Sequence, residues 1–218
     1  ESQRLWEQAA GFGADVSVRV LADPSAAVFF AVASILLGQS VRVARPWNSR
    51  HADAELLRHL RQEDWLTWIP QEAGVEILPG PSARSRSLVL DLDPAPDSGP
   101  ALAVLAAHLP HGARFSGLSR LRIKESDRVS AMLRLAEACG AEVRLSEDEL
   151  SIRPGADAPR LGQPAPRRAL RLAAEGDHRT AMATGVAALL HPGLESDQPA
   201  CVAKSFPNFW EELACLRG

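Results

Sequence analysis

The order of hydrophobic and polar positions repeats along this chain. A polar or proline-marked start, an apolar helix, a glycine and a short β-rich run recur three times, in residues 22–46, 95–118 and 175–193. The predicted helices of these segments are apolar on nearly every side, which is typical of helices that are covered all round. We therefore expect three buried helices that share one core.

Amphipathic helices are predicted between the buried ones. Residues 51–62 place three leucines on one side, and residues 125–143 place an apolar stripe on one face before a glycine ends the helix. The positions concerned are Leu56, Leu57, Leu60, Val129, Met132, Leu133, Ala136, Cys139 and the terminating Gly140. Two β-rich runs follow each helix with the spacing of a hairpin, and residues 87–93 alternate as a strand does. The pattern predicts a βαβαββ unit in about two and a half copies, joined by a flexible Pro/Gly/Ala-rich loop at residues 154–169.

Composition excludes several classes of function. The 218 residues are 46% hydrophobic and 23% charged, the balance of an ordinary globular protein. A net charge of −3 and a pI near 6.1 argue against nucleic acid as a partner. The longest apolar run, residues 26–38, is too short for a membrane span. With no signal-peptide pattern in these residues, we expect a cytoplasmic protein.

The cysteines and histidines show no familiar ligand spacing. Cys139, Cys201 and Cys215 form no CxxC pair, which argues against a disulfide framework and a zinc knuckle. His108 and His111 flank a proline in a predicted loop. We therefore expect neither a metal nor another cofactor.

Four short polar clusters lie at predicted helix starts: residues 96–98, 124–128, 177–179 and 204–209. Helix N-termini carry unpaired N–H groups and attract anions. Only Lys124 and Lys204 among the 24 basic residues are lysines, and each lies in one of these clusters. Taken singly, the clusters are ordinary helix starts, with capping aspartates, an i,i+3 pair between Glu125 and Arg128, and a serine-capped helix after Lys204. Taken together, they predict a site for anions.

The wording and order of these clusters resemble one family. The strings LRIKESDR, GDHRTAMA and CVAKSFPNFWEEL are similar to the C-terminal motifs of 5-enolpyruvylshikimate-3-phosphate synthases (3-phosphoshikimate 1-carboxyvinyltransferases), and ADPSAAVFFAVASILL and PDSGPALAVLAA resemble two helices of that family. The resemblance implies an α/β fold, one domain of the enolpyruvyl transferase inverse α/β barrel, built from βαβαββ units with buried helices. It also implies that residues 1–20 are the remnant of a preceding domain and that residues 21–218 form the C-terminal domain of a longer enzyme.

The same resemblance implies a reaction and two acid–base residues. The enolpyruvyl group of phosphoenolpyruvate would pass to the 5-hydroxyl of shikimate 3-phosphate, phosphate would leave after a tetrahedral intermediate, and no metal or organic cofactor would take part. Asp97 is similar to the carboxylate that takes the proton of the attacking hydroxyl, and Glu125 to the acid that protonates the methylene carbon. Separate acid and base carboxylates suit an addition followed by an elimination.

Five further residues match positions that bind the substrates in the family. Lys124 would contact shikimate 3-phosphate near its reacting hydroxyl. Arg128 and Arg179 would clamp the carboxylate of phosphoenolpyruvate with His178 beside them, and Lys204 would hold its phosphate. Both substrates carry several negative charges, which explains a site rich in lysine and arginine.

Departures from the family pattern leave alternatives open. Arg120 stands where the family commonly has asparagine, Ala26 replaces a usual serine, and the N-terminal phosphate-binding motifs have no counterpart in these residues. We therefore expect an N-terminal domain of the same enzyme as a partner, without which this fragment should be inactive. A UDP-N-acetylglucosamine enolpyruvyl transferase shares this fold and chemistry, and a stand-alone, non-catalytic module that binds anionic or phosphorylated ligands is a second alternative.

Overall fold

The computed structural model describes residues 16–18, 23–43, 50–72, 74–124, 126–156 and 158–217. The first unit consists of one four-stranded sheet and two helices. Its elements are β1 (Val16–Val18), α1 (Pro24–Leu37), β2 (Val41–Val43), α2 (Ala52–Gln62), β3 (Leu66–Gln71) and β4 (Gly74–Pro79). The strand order is β1-β2-β4-β3, with β1 parallel to β2 and the other pairs antiparallel.

A second unit repeats this topology after a short helix α3 (Ser82–Ser85). Its elements are β5 (Leu88–Asp91), α4 (Gly99–His108), β6 (Ala113–Ser116), α5 (Arg128–Ala138), β7 (Ala141–Leu145) and β8 (Leu150–Pro154). The strand order is β5-β6-β8-β7, and again only the first pair is parallel. The match between the two units confirms the predicted βαβαββ repeat.

The half copy and a terminal helix complete the described chain. Two parallel strands, β9 (Leu170–Leu172) and β10 (Leu194–Ser196), flank α6 (His178–Ala187), and α7 (Phe209–Ala214) follows. Short 3₁₀ helices lie at Pro96–Ser98, Ser119–Ile123, Pro199–Lys204 and Cys215–Arg217. The α/β fold built from two and a half units is therefore as predicted.

The three helices with apolar residues all round form the centre of the core. Every residue of α1, α4 and α6 is buried, and the three helices pack against one another. Asp23 caps α1 as predicted, since its carboxylate accepts a 2.9 Å hydrogen bond from the backbone N–H of Ser25 and Pro24 takes the first helical position.

The two amphipathic helices pack against this core with their apolar faces, as predicted from the sequence. Leu56, Leu57 and Leu60 of α2 are buried, as are Val129, Met132 and Ala136 of α5 together with Cys139, whereas Leu133 is half-buried. Gly140 follows α5 with a φ of +81°, a conformation that side chains disfavour and that ends the helix where the sequence predicts.

Two local predictions were wrong. Lys204 ends a 3₁₀ helix, and α7 begins only at Phe209, because Pro207 disfavours helical backbone at the residue before it. His108 is the buried last residue of α4 and does not lie in a loop. The flexibility of the irregular 154–169 loop stays a prediction, and the backbone N–H groups of Gly162 and Ala165 in it donate to the carbonyls of Leu36 and Leu190 at 2.7 Å.

The proposed division of the chain at residue 20 stays a prediction. Residues 1–15 and 19–20 lie outside the described residues, and Val16–Val18 pairs with β2 as the edge strand of the first sheet. Within the described ranges, no helix is long and apolar enough to cross a membrane.

Candidate anion-binding site

Three helix starts meet at one place in this fold. Asp97 lies in the 3₁₀ turn that leads into α4, Arg128 is the first residue of α5, and Arg179 is the second residue of α6. Ion pairs between these side chains show that the three starts are adjacent. Such a meeting of N-terminal N–H groups favours negative charge.

Asp97 is surrounded by three cations from three segments of the chain. Its Oδ1 pairs with the guanidinium of Arg128 and lies 3.2 Å from Lys124 Nζ, and its Oδ2 lies 3.7 Å from Arg179 Nη2. About two thirds of the Asp97 side chain is shielded from solvent, which strengthens these attractions relative to a surface pair. We refer to Asp97, Lys124, Arg128 and Arg179 as the anion cluster.

The cations keep the Asp97 carboxylate charged. Partial burial alone would raise its pKa, but the charge and hydrogen bond of Arg128 and the charges of Arg179 and Lys124 outweigh burial and lower the pKa from 3.8 to about 2. Asp97 is therefore a weak base as long as the cations are directed at it, and any ligand that takes up those cations raises its basicity.

Arg128 bridges Asp97 to a second carboxylate, Asp177. The Arg128 Nε donates to Asp177 Oδ2 at 2.7 Å, and both side chains are almost completely withdrawn from solvent, with 3% and 0% exposed. Burial alone would lower the pKa of Arg128, but the hydrogen bonds and charges of Asp177 and Asp97 raise it. The guanidinium is thereby fixed in orientation, with Nη1 directed at Asp97.

Asp177 has two structural tasks. As the N-cap of α6, its Oδ1 accepts a 2.8 Å hydrogen bond from the Arg179 backbone N–H, while its Oδ2 accepts from Arg128 and, at 3.2 Å, from the hydroxyl of Ser126. Burial opposes ionisation, but the hydrogen bond and charge of Arg128 and the Arg179 N–H lower the pKa of Asp177. The cap was predicted from the sequence. The hydrogen bond between Asp177 and Arg128, which are 49 residues apart, was not.

Arg179 retains unused hydrogen-bonding capacity. The residue is 8% exposed, and its buried Nε has no hydrogen-bond partner among the described residues. Its Nη2 contact with Asp97 is long for a hydrogen bond. A buried guanidinium edge with an unmatched N–H is suited to a carboxylate or phosphate ligand, which would accept two parallel hydrogen bonds.

The other predicted site residues lie around this cluster. His178 is the buried first residue of α6, and its charge helps to lower the pKa of Asp177. Lys204 is exposed at the end of a 3₁₀ helix that packs against α6. Burial raises the pKa of the Cys201 thiol, and the nearby charge of Lys204 opposes this rise. Glu125 lies outside the described residues.

A buried carboxylate that the sequence did not single out supports the Asp97 turn. Asp53, at the start of α2, accepts hydrogen bonds from the hydroxyls of Ser25 and Ser98, the latter at 2.7 Å. Next to Ser98, a Cβ on Gly99 would lie 2.7 Å from Leu121 and 3.0 Å from Met132. Glycine therefore permits the close approach of the turn to the segment that carries Lys124.

Arg120 contacts Asp93, which is not part of the anion cluster. It is exposed, and its Nη1 donates at 2.8 Å to the backbone carbonyl of Asp93 at the end of the β5 segment. The departure from the usual family asparagine thus leaves this guanidinium attached to a neighbouring loop.

The fold has counterparts among solved structures. The chain superimposes on EPSP synthase from Acinetobacter baumannii with a TM-score of 0.66 and 27% identity, covering 89% of this chain and 46% of that one. It shares the fold of the enolpyruvyl transferase NikO from Streptomyces tendae, with a TM-score of 0.65, 19% identity, and coverage of 89% and 42% of the two chains. The fold is therefore that of the enolpyruvyl transferases.

Sequence comparison narrows this class to a family. The family model for EPSP synthase (3-phosphoshikimate 1-carboxyvinyltransferase) matches residues 8–213, and the chain belongs to that family. A 3-phosphoshikimate 1-carboxyvinyltransferase from Syntrophobacter fumaroxidans is 36% identical over 91% of this chain and 44% of its own length, and one from Synechococcus sp. (strain CC9605) is 40% identical over 56% and 26%. The chain thus spans less than half the length of these relatives.

Proposed function

We propose that this chain is the C-terminal portion of an enzyme that transfers the enolpyruvyl group of phosphoenolpyruvate to the 5-hydroxyl of shikimate 3-phosphate and releases phosphate. The observation that carries the proposal is the ring of Lys124, Arg128 and Arg179 around the Asp97 carboxylate, at the meeting of three helix starts. Family membership supports the same reaction.

The cations suit the charges of the proposed substrates. Phosphoenolpyruvate carries a carboxylate and a phosphate, and shikimate 3-phosphate carries one of each as well. Arg128 is held rigidly by Asp177, and Arg179 has an unmatched buried Nε, so together they can grip a carboxylate with little reorganisation. We assign Lys204 and His178 to the same substrate, and Lys124 to shikimate 3-phosphate beside Asp97.

Substrate binding would convert Asp97 into an effective base. The cations that lower its pKa to about 2 would pair instead with substrate anions, so the carboxylate would gain basicity when the hydroxyl to be deprotonated is in place. The hydroxyl oxygen then bonds to C2 of phosphoenolpyruvate while the methylene carbon takes a proton from Glu125. Glu125 then takes back one proton of the new methyl group as phosphate leaves C2, which restores the double bond in the product.

A second domain completes the proposed site. The residues described here supply cations and the base around one side of the substrates, and the relatives are more than twice as long as the segment matched. We therefore propose an N-terminal domain of the same enzyme as the partner that supplies the remaining phosphate contacts and closes over the substrates.

The experiment measures phosphate release from phosphoenolpyruvate and shikimate 3-phosphate. The chain is assayed alone and combined with an N-terminal domain of the family, with calorimetric binding of both substrates in parallel. We expect turnover only in combination, and a Glu125→Gln variant should then lose about 10²–10⁴ in kcat. Substrate binding without turnover in every combination would instead favour a non-catalytic binding module. Preferential turnover of UDP-N-acetylglucosamine would assign the chain to the related transferase.

A further inference from the structure

A second cluster of polar side chains lies at the opposite ends of the helices that carry the anion cluster. His108 is the last residue of α4, Cys139 is the C-cap of α5, and His191 follows the last turn of α6. One ring nitrogen of each histidine and the sulfur of Cys139 all lie within 4.8 Å of one another. Three residues that are distant in sequence thus converge on one point inside the protein.

The hydrogen bonds of His108 fix the tautomer of its ring, that is, which of the two ring nitrogens carries the proton. Its Nδ1 lies 2.8 Å from the carbonyl oxygen of Val104, which can only accept, so Nδ1 carries a proton. The neutral ring then presents a lone pair on Nε2, and His191 Nε2 donates to it at 2.9 Å. A backbone carbonyl that orients one ring nitrogen while the other faces the ligand is the arrangement found behind metal-binding histidines.

Burial disfavours the charged form of all three groups. It lowers the pKa of His108 and of His191 to about 4. Burial raises the pKa of the Cys139 thiol to about 12, so a bound cation would have to displace its proton. His108 and Cys139 are buried, whereas His191 is half-buried and therefore keeps some contact with solvent.

The spacing and the helix ends suit a small divalent cation. Tetrahedral zinc, with bonds of about 2.0–2.3 Å, requires its ligand atoms to lie about 3.3–3.6 Å apart. The two nitrogens would need to separate slightly from 2.9 Å, and His191 Nε2 would have to give up the proton that it donates to His108. The sulfur would need to approach by at most about 1.2 Å from its outer limit of 4.8 Å. The C-terminal ends of α4, α5 and α6 all carry partial negative charge towards this point, which favours a cation there.

We propose that His108, Cys139 and His191 bind a zinc ion, with water in the fourth position on the side of His191. Imidazole and thiolate together select zinc among the common divalent ions, whereas magnesium and calcium require oxygen ligands. Within the described part of the chain, no further histidine, cysteine or carboxylate joins the group.

The ion would act as a brace for the anion cluster. The ten residues of α4 span about 15 Å from the Asp97 turn to His108. A metal that links the far ends of α4, α5 and α6 would restrict their relative movement and so hold Asp97, Arg128 and Arg179 in register. The ion takes no part in the proposed transfer, so this inference stands apart from it.

The first test is calorimetric titration of the metal-free 218-residue chain with zinc. We expect one equivalent to bind with a Kd on the order of 1 µM or tighter, and the thermal midpoint of unfolding to rise with zinc concentration. His191→Gln and Cys139→Ala should each weaken binding about 100-fold or more. Matched controls at exposed positions, His111→Gln and Cys215→Ser, should bind as the parent does.

A spectroscopic test identifies the ligands without removing any of them. In a Cys201→Ser/Cys215→Ser background, cobalt(II) should produce strong visible bands of a tetrahedral site and a near-ultraviolet thiolate charge-transfer band that can come only from Cys139. Absence of the thiolate band overturns the proposal. Zinc affinity that is unchanged in folded His191→Gln and Cys139→Ala variants does the same, and so does an absence of zinc binding, which would leave the cluster as a hydrogen-bonded histidine pair.

Discussion

Arg128 and Asp177 form a buried ion pair between the starts of two helices, with 2.7 Å between Nε and Oδ2. The same guanidinium reaches Asp97 with Nη1, so one side chain joins the base proposed for the reaction to the cap of α6. Because the pair is withdrawn from water, removal of either partner leaves an uncompensated charge. Stability and site geometry therefore depend on the same contact.

The Asp177→Asn variant tests the structural weight of this pair. Asparagine retains the cap on α6, but its amide cannot neutralise Arg128. We expect the free energy of unfolding in urea to fall by about 3 kcal/mol. The matched control is Glu55→Gln, which removes the exposed partner of Arg58 at 2.9 Å and should cost less than about 1 kcal/mol. Equal effects of the two variants would contradict the buried-pair interpretation.

The pH dependence of stability should report on Asp97. Its pKa is lowered from 3.8 to about 2 in the folded protein, so pairing of the carboxylate stabilises the fold above about pH 4 and this contribution disappears as the pH falls towards 2. The stability difference between the parent and Asp97→Asn should therefore shrink over this interval in urea unfolding. A difference that is constant from about pH 5 to about pH 2.5 would show that the carboxylate is not held by the cations.

Binding of phosphoenolpyruvate should distinguish Arg179 from Arg120. Arg179→Gln removes a buried guanidinium whose Nε has no partner among the described residues, and we expect the Kd measured by calorimetry to rise about 30- to 100-fold. Arg120→Gln removes an exposed guanidinium that is attached to Asp93 and should leave the Kd within about twofold. A similar loss in both variants would mean that general positive charge, and not the anion cluster, attracts the ligand.

Asp53 belongs to no recognised motif, yet we expect it to contribute strongly to the stability of the fold. Asp53→Ala leaves the buried hydroxyls of Ser25 and Ser98 without their acceptor, and we expect a loss of about 2–3 kcal/mol in the free energy of unfolding. Glu142→Ala, at an exposed position of β7, is the control and should change stability by less than about 0.5 kcal/mol. An equally small effect at Asp53 would remove its assigned role in supporting the Asp97 turn.

Local patterns in the sequence were sufficient for the repeat and for the helix starts. The apolar runs of α1, α4 and α6, the caps at Asp23 and Asp177, and the glycine after α5 are each decided by neighbouring residues, and the structure confirms them. The start predicted after Lys204 failed because Pro207 delays the helix to Phe209.

Contacts between residues that are far apart in the sequence could not be predicted from these local patterns. Taken alone, the 124–128 cluster suggested a surface pair between Arg128 and Glu125, yet the fold buries Arg128 between Asp97 and Asp177, which are 31 and 49 residues away. His108 and His191, 83 residues apart, meet for the same reason. Such pairs depend on how the units pack, and no spacing rule encodes that packing.

Asp97, held among Lys124, Arg128 and Arg179, is the base that we propose for the enolpyruvyl transfer. The most direct measurement is kcat for phosphate release by Asp97→Asn, with this chain combined with an N-terminal domain of the family. We predict that kcat falls by about 10²–10⁴ while phosphoenolpyruvate still binds, because the amide leaves the cations in place but cannot accept the proton. A kcat within a few-fold of the parent would contradict the account.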